Sequence, residues 1–96
     1  MKASSVITVT MSPDVLYQEL EGEAVLLSLT NEQYYGMNDV GRHMWTLLRD
    51  HGDVDTVITQ LQSQYDADAA TLRRDLLKLI EEWQAEGLVT VESNGT

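Results

Sequence analysis

The chain has 96 residues, of which 43% are hydrophobic, and this is enough for one domain with a modest core. Cysteine is absent, which excludes disulfide bonds, zinc-thiolate sites and thiol nucleophiles. Sixteen acidic and six basic residues give a formal net charge of −10, which repels phosphate backbones and disfavours nucleic acid as a partner. No apolar run approaches the roughly 20 residues of a membrane span, and no signal peptide precedes the domain, so we expect a cytoplasmic protein.

The N-terminal half predicts a small antiparallel sheet. We expect residues 1–14 to form an N-terminal arm, residues 15–92 to form one folded domain and residues 93–96 to form a C-terminal tail. The predicted strands are Val15 to Leu20, Ala24 to Leu29 and Gln33 to Met37. The intervening stretches contain Gly22 and Asn31, which tolerate the left-handed backbone of tight turns, so the strands should form a meander.

Side-chain alternation assigns two faces to these strands. The face of the second strand that we expect to point to the core carries Val25, Leu27 and Leu29. In the third strand, Gln33, Tyr35 and Met37 share one face, while Tyr34 and Gly36 share the other. A three-stranded sheet with one apolar face requires helices to cover it.

Three amphipathic helices follow the sheet. The first begins at Asn38 or Asp39 and runs to about Asp50, and the second runs from a cap at Asp53 to near Asp66. The third is the longest, from about Asp68 to Glu86, and Gly87 ends it. Leu88 to Val91 then forms a short extended segment on the core. The order predicts an α+β fold of winged helix-turn-helix type, with a three-stranded antiparallel sheet followed by three helices.

Signatures of catalysis and metal binding are missing from the sequence. The only histidines are His43 and His51, and their spacing matches no metal-binding motif, so we interpret both as ordinary surface or helix-end residues. The serines lie in no nucleophile elbow, and no Gly-rich phosphate loop is present. We therefore expect no enzymatic activity, no metal and no cofactor.

The helix pair from Val54 to Trp83 resembles a helix-turn-helix, which makes a DNA-binding regulator the first alternative. Its third helix, however, carries five acidic residues against three basic ones: Asp68, Asp75, Glu81, Glu82 and Glu86 against Arg73, Arg74 and Lys78. This balance points away from DNA. A second alternative is an acidic oligomerisation module whose sheet edge pairs with its own copy.

The third strand is the last of its meander, so one of its edges can remain unpaired. An exposed edge beside an amphipathic helix is suited to an extended peptide, because main-chain bonds give affinity and apolar pockets give specificity. On the third helix, Leu72, Asp75 and Leu79 lie where such a groove can open. Either Tyr34 or Tyr35 would flank the peptide, and alternation alone does not choose between them.

An ordered set of residues between Val25 and Val89 resembles the PqqD family, the peptide recognition elements of ribosomal peptide pathways. The set consists of Tyr34-Tyr35-Gly36-Met37-Asn38, Gly41, Trp45, Leu47-Leu48, Asp75-Leu76-Leu77, Leu79-Ile80 and Gly87-Leu88. Relatives usually have Leu where this chain has Met37, a change that conserves volume. The resemblance implies a non-catalytic domain that binds a precursor's leader peptide as an added strand between the third strand and the third helix.

The resemblance also implies partners and a site. With no fused enzyme in its 96 residues, the chain is similar to stand-alone leader-binding proteins of lasso-peptide pathways, which present the precursor to a leader peptidase and a macrolactam-forming cyclase. A partner of a radical-SAM enzyme is the alternative within the family. We expect the leader to pair with Glu32 to Met37, its apolar side chains to enter a groove, and Asp75 and Glu82 to meet its basic or hydroxyl groups. The expected peptide-binding residues are Glu32, Gln33, Tyr34, Tyr35, Gly36, Met37, Leu72, Asp75, Leu76, Leu79 and Glu82.

Overall fold

The computed structural model describes residues 6–94 and contains five strands and three helices in that range. In chain order the elements are β1 (Val6–Met11), β2 (Val15–Leu20), β3 (Glu23–Ser28), β4 (Tyr34–Met37), α1 (Asp39–His51), α2 (Val54–Gln64), α3 (Ala69–Ala85) and β5 (Val89–Asn94). Strands β2, β3 and β4 form an antiparallel sheet in that order, and the three helices follow it. The predicted fold class and the order of its elements are confirmed.

A two-residue turn sets the register of β2 on β3. Glu21 and Gly22 both have positive φ, 50° and 85°, as a type I′ hairpin turn requires. The turn pairs Leu20 with Glu23 and, further along the hairpin, Tyr17 with Leu26. This pairing places Tyr17 and Leu26 on one face of the hairpin and Leu16 and Leu27 on the other.

The inward face of β3 differs from the predicted one. Its buried residues are Ala24, Leu26 and Ser28, whereas Leu29 follows the strand and is 52% exposed. The prediction that Val25, Leu27 and Leu29 face the core is therefore wrong. Both faces of this segment carry apolar side chains, so alternation does not identify the inner face, and the packing of the sheet on the helices decides it.

The predicted N-terminal arm contains a strand that packs on the core. Strand β1 pairs antiparallel with β5 along its whole length, and Val9 is only 3% exposed. The Val9 N–H also donates to the carbonyl oxygen of Gly52, between α1 and α2, at 2.8 Å. Residues 1–5 of the arm and residues 95–96 of the tail lie outside the described range.

The helices begin at the predicted caps. The Asn38 side chain accepts a hydrogen bond from the Gly41 N–H at 2.7 Å, and Asp53 and Asp68 accept in the same way from Thr56 and Thr71. The core lies between the helices and the inner face of the sheet. Within it, the Trp45 and Trp83 rings pack edge to face, with their centroids 5.0 Å apart. Within residues 6–94, no helix has the length and apolar character needed to cross a membrane.

Candidate peptide-binding site

A groove of about 720 Å³ lies between β4 and α3. One wall consists of β4 and the residue after it: Tyr35, Gly36, Met37 and Asn38. Helix α1 contributes Val40, Gly41 and Met44. The opposite wall comes from α3 and its C-cap, mainly Asp75, Lys78, Leu79, Glu82, Trp83 and Glu86. The volume lies in the range of sites that bind small or extended ligands.

The main chain of β4 has one unpaired edge in the described part of the protein, because β4 pairs only with β3. The Ser28 N–H donates to the Gln33 carbonyl oxygen at 3.0 Å, and Leu26 is paired with Tyr35. In an antiparallel ladder, alternate residues direct their N–H and C=O groups to the same neighbour. Tyr34 and Gly36 therefore direct theirs to the open edge, beside the groove.

Glu32 lies in the turn before β4 and not on its edge. Its φ is 59°, and its N–H donates to the carbonyl oxygen of Ser28 at 2.8 Å. Gln33 likewise uses its carbonyl oxygen within the sheet. The edge on which a peptide can pair therefore begins at Tyr34, two residues later than the sequence predicts.

The two tyrosines of β4 lie on opposite faces of the sheet. Tyr35 is half-buried against the core and lines the groove, whereas Tyr34 is 68% exposed on the outer face, opposite Leu27. The Tyr35 hydroxyl donates to Glu86 Oε1 at 2.9 Å. The structure thus places Tyr35 at the groove.

The apolar stripe of α3 consists of the buried residues Leu72, Leu76, Ile80 and Trp83, and Leu79 lies at its margin. Leu79 is half-buried and lines the groove, as the sequence predicts. Leu72 and Leu76, which were expected beside it, are 6% and 0% exposed and belong to the core. Leu72 and Leu76 therefore pack within the core and do not line the groove.

Gly41 was not among the expected site residues, although it is part of the family pattern. A Cβ added to Gly41 would lie 3.6 Å from Met37 Cβ and 3.7 Å from Leu79 Cδ2. It would also lie 3.2 Å from the Asn38 Oδ1 that caps α1. The absence of a side chain at Gly41 thus leaves the space between Met37 and Leu79 open.

The charged groups of the groove are mostly acidic. Asp75, Glu82 and Glu86 line it together with a single cation, Lys78. Asp75 and Glu82 lie where the sequence predicts, and Glu86 was missed as a site residue although the helical wheel places it on the same flank of α3. The groove therefore favours cationic or hydrogen-bond-donating groups.

Metal-binding geometry is not found in the described range. Within residues 6–94, no three His, Asp or Glu side chains lie close enough together to hold a metal ion. His43, on α1, instead contacts the hydroxyl of Tyr65, and the two rings lie edge to face at 5.7 Å.

Two solved structures share this fold. TbiB1, solved in complex with the TbiA(beta) leader peptide, matches with a TM-score of 0.79 and 26% identity over 83% of this chain and 93% of that chain. A lasso peptide synthetase B1, complexed with the leader peptide, matches with a TM-score of 0.79 and 20% identity over 86% of this chain and 98% of that chain. A comparison with curated proteins found no match.

The family described as coenzyme PQQ synthesis protein D (PqqD) matches residues 23–89. This span runs from the start of β3 to the first residue of β5, and it contains the open edge of β4 and the groove wall on α3. The chain therefore belongs to the PqqD family.

Proposed function

We propose that this protein binds the leader segment of a ribosomally synthesised precursor peptide and presents it to modifying enzymes. The observation that carries the proposal is the open edge of β4, where Tyr34 and Gly36 direct main-chain groups outward beside an apolar groove. An extended peptide can hydrogen-bond to this edge as an added strand and place alternate side chains in the groove. The complex of TbiB1 with a leader peptide supports this choice of ligand.

The groove suits one apolar anchor flanked by polar contacts. In an extended peptide, residues two apart lie on the same face, about 6.6 Å from each other. An apolar leader side chain that faces inward enters between Met37, Gly41 and Leu79. Neighbouring inward side chains then meet the carboxylates of Asp75 and Glu82, which select basic or hydroxyl groups.

The contribution to catalysis is indirect. A domain that holds the leader raises the local concentration of the attached core peptide at an enzyme that the domain also contacts. We propose a leader peptidase and a macrolactam-forming cyclase as these enzymes, as in a lasso-peptide pathway, and a second surface of the domain must contact them.

Amide hydrogen exchange tests the added strand directly. The peptide probes are the TbiA(beta) leader and a peptide selected on this protein from a random displayed library. In the free protein, we expect the amides of Tyr34 and Gly36 to exchange faster than that of Tyr35, which is bonded to β3. Peptide binding should slow exchange at Tyr34 and Gly36 at least tenfold, because their N–H groups then donate to the added strand.

The matched reference is the outer edge of β2 in the same sheet. Peptide binding should leave the amide exchange rates of β2 unchanged. The proposal fails if neither probe binds. It also fails if a bound peptide protects amides on β2 or β5 while those of Tyr34 and Gly36 keep their rates.

A further inference from the structure

One end of the groove is bridged by a hydrogen bond between its two walls. The Tyr35 hydroxyl, on β4, lies 2.9 Å from Oε1 of Glu86, the C-cap residue of α3, although the two residues are 51 positions apart. The same hydroxyl lies 3.2 Å from Asn31 Nδ2 and 3.3 Å from Gln33 Oε1. Four side chains thus meet at this end.

The hydroxyl has a single proton, so it donates to one acceptor at a time. The Asn31 amide donates to the hydroxyl oxygen, and the proton goes to Glu86 or to Gln33. A carboxylate is the stronger acceptor of the two. Gln33 and Asn31 precede Tyr35 on its own side of the groove, so Glu86 alone holds the tyrosine ring towards α3.

The bridge has a defined position along the groove. Met37 lies near Leu79, since a Cβ on Gly41 would contact both, while Tyr35 lies near Glu86. Strand β4 and helix α3 therefore run in opposite directions along the groove. On β4, Met37 and Tyr35 are two positions apart, which is about 6.6 Å of extended chain.

We propose that Glu86 is a positioning residue that sets the register of the bound peptide. By holding the Tyr35 ring across the groove, it closes this end and lets the anchor side chain enter only on the Leu79 side. A peptide antiparallel to β4 then passes over the bridge about two residues after its anchor. This inference rests on the proposed function and adds the rule by which one register is chosen among those that the strand edge allows.

A register-shift experiment tests the rule. The probe is the peptide selected on the wild-type protein, made in two forms: the original, and one with its anchor moved two residues towards the C-terminus so that the anchor still faces inward. In the wild type, we expect the shifted form to bind about tenfold more weakly by fluorescence anisotropy, because the bridge occupies the place of its anchor. In Tyr35→Phe and Glu86→Ala, the difference should fall below about threefold.

Two further variants separate positioning from loss of structure. Glu86→Gln keeps an acceptor and should restore part of the discrimination. Tyr17→Phe removes a hydroxyl on β2, outside the groove, and should leave the tenfold difference between the two peptide forms unchanged. Thermal unfolding by circular dichroism checks that all variants fold. The inference is overturned if Tyr35→Phe and Glu86→Ala still discriminate tenfold while the wild type binds. If the wild type binds neither form, the proposed function fails and the inference fails with it.

Discussion

At the scale of residues, the groove depends on a side chain at the margin of the apolar stripe of α3. Leu72 and Leu76 lie at the centre of the apolar stripe of α3 and are buried, whereas Leu79 at its edge reaches the groove. A marginal position is covered by the core on one side only, so its other side remains available to a ligand. The helical wheel locates this margin correctly because it depends only on the spacing along one helix.

Replacing Leu79 by Asp should remove peptide binding without unfolding the protein. The change places a charge on the apolar wall beside Asp75 and Glu82, so we expect at least a tenfold loss of affinity, or about 1.4 kcal/mol. Leu29→Asp is the control, because Leu29 lies outside the groove and is 52% exposed. Titration of a labelled leader measures both variants, with circular dichroism as the folding check. Equal affinity of the two variants would contradict the groove assignment.

At the scale of elements, the helix starts are defined by short polar motifs. Asp53 accepts hydrogen bonds from the side chain and the backbone N–H of Thr56, and these bonds lower the pKa of the Asp53 carboxyl below its ordinary value of 3.8. Thr71 lowers the pKa of Asp68 in the same way. Because cap and donor are three residues apart in sequence, both helix starts are predictable from the chain alone.

The cap at Asp53 should make stability depend on pH. Its pKa is lower in the folded protein than the unfolded value of about 3.8, so its ionised form stabilises the fold above that pH. This contribution is lost as the pH falls from about 3.8 through the lower folded-state pKa. Urea unfolding between pH 6 and pH 2.5 should show a shallower loss of stability in Asp53→Asn, which keeps an acceptor but does not titrate.

The charge-matched control for the cap is Asp66→Asn, which removes a carboxylate that caps no helix. We expect this control to keep a pH dependence closer to that of the wild type than Asp53→Asn does. If the free energy of unfolding falls equally steeply with decreasing pH in the wild type and in Asp53→Asn, the ionised cap does not contribute to stability.

At the scale of the whole molecule, the two ends of the described chain form one sheet. Strand β1 pairs with β5, and Val9 of β1 is buried in the same core as the helices. Its hydrogen bond to Gly52 also ties β1 to the turn between α1 and α2. The N-terminal strand thus helps to hold α3, and with it the groove wall, against the other helices.

Val9→Ala should therefore destabilise the whole domain. Removing two buried methyl groups should lower the free energy of unfolding by roughly 1–3 kcal/mol. Thr10→Ala, one residue along on the exposed face, should change it by less than about 0.5 kcal/mol. Urea unfolding followed by tryptophan fluorescence measures both. An equal effect of the two changes would mean that β1 adds little to the core.

Several features could not be predicted because they depend on segments far apart in the chain. Strand β1 has its partner at the opposite end of the sequence, and a local pattern of six residues does not reveal such a partner. The inner face of β3 depends on how the sheet packs on the helices, because the apolar residues of β3 occur on both faces. Gly41 and Glu86 lie on different helices from one another, so only packing brings them to one groove.

The sequence by itself determined the order of the sheet strands and helices, the helix caps, the acidic surface and the flank of α3 that carries Leu79. These features arise from interactions over three or four residues, or from composition, and are therefore local. Only the tertiary structure decided that Tyr35 and not Tyr34 faces the groove, that the open edge begins at Tyr34, and that Glu86 meets Tyr35. Each of these depends on strand register and helix packing, which bring together residues that are distant in the chain.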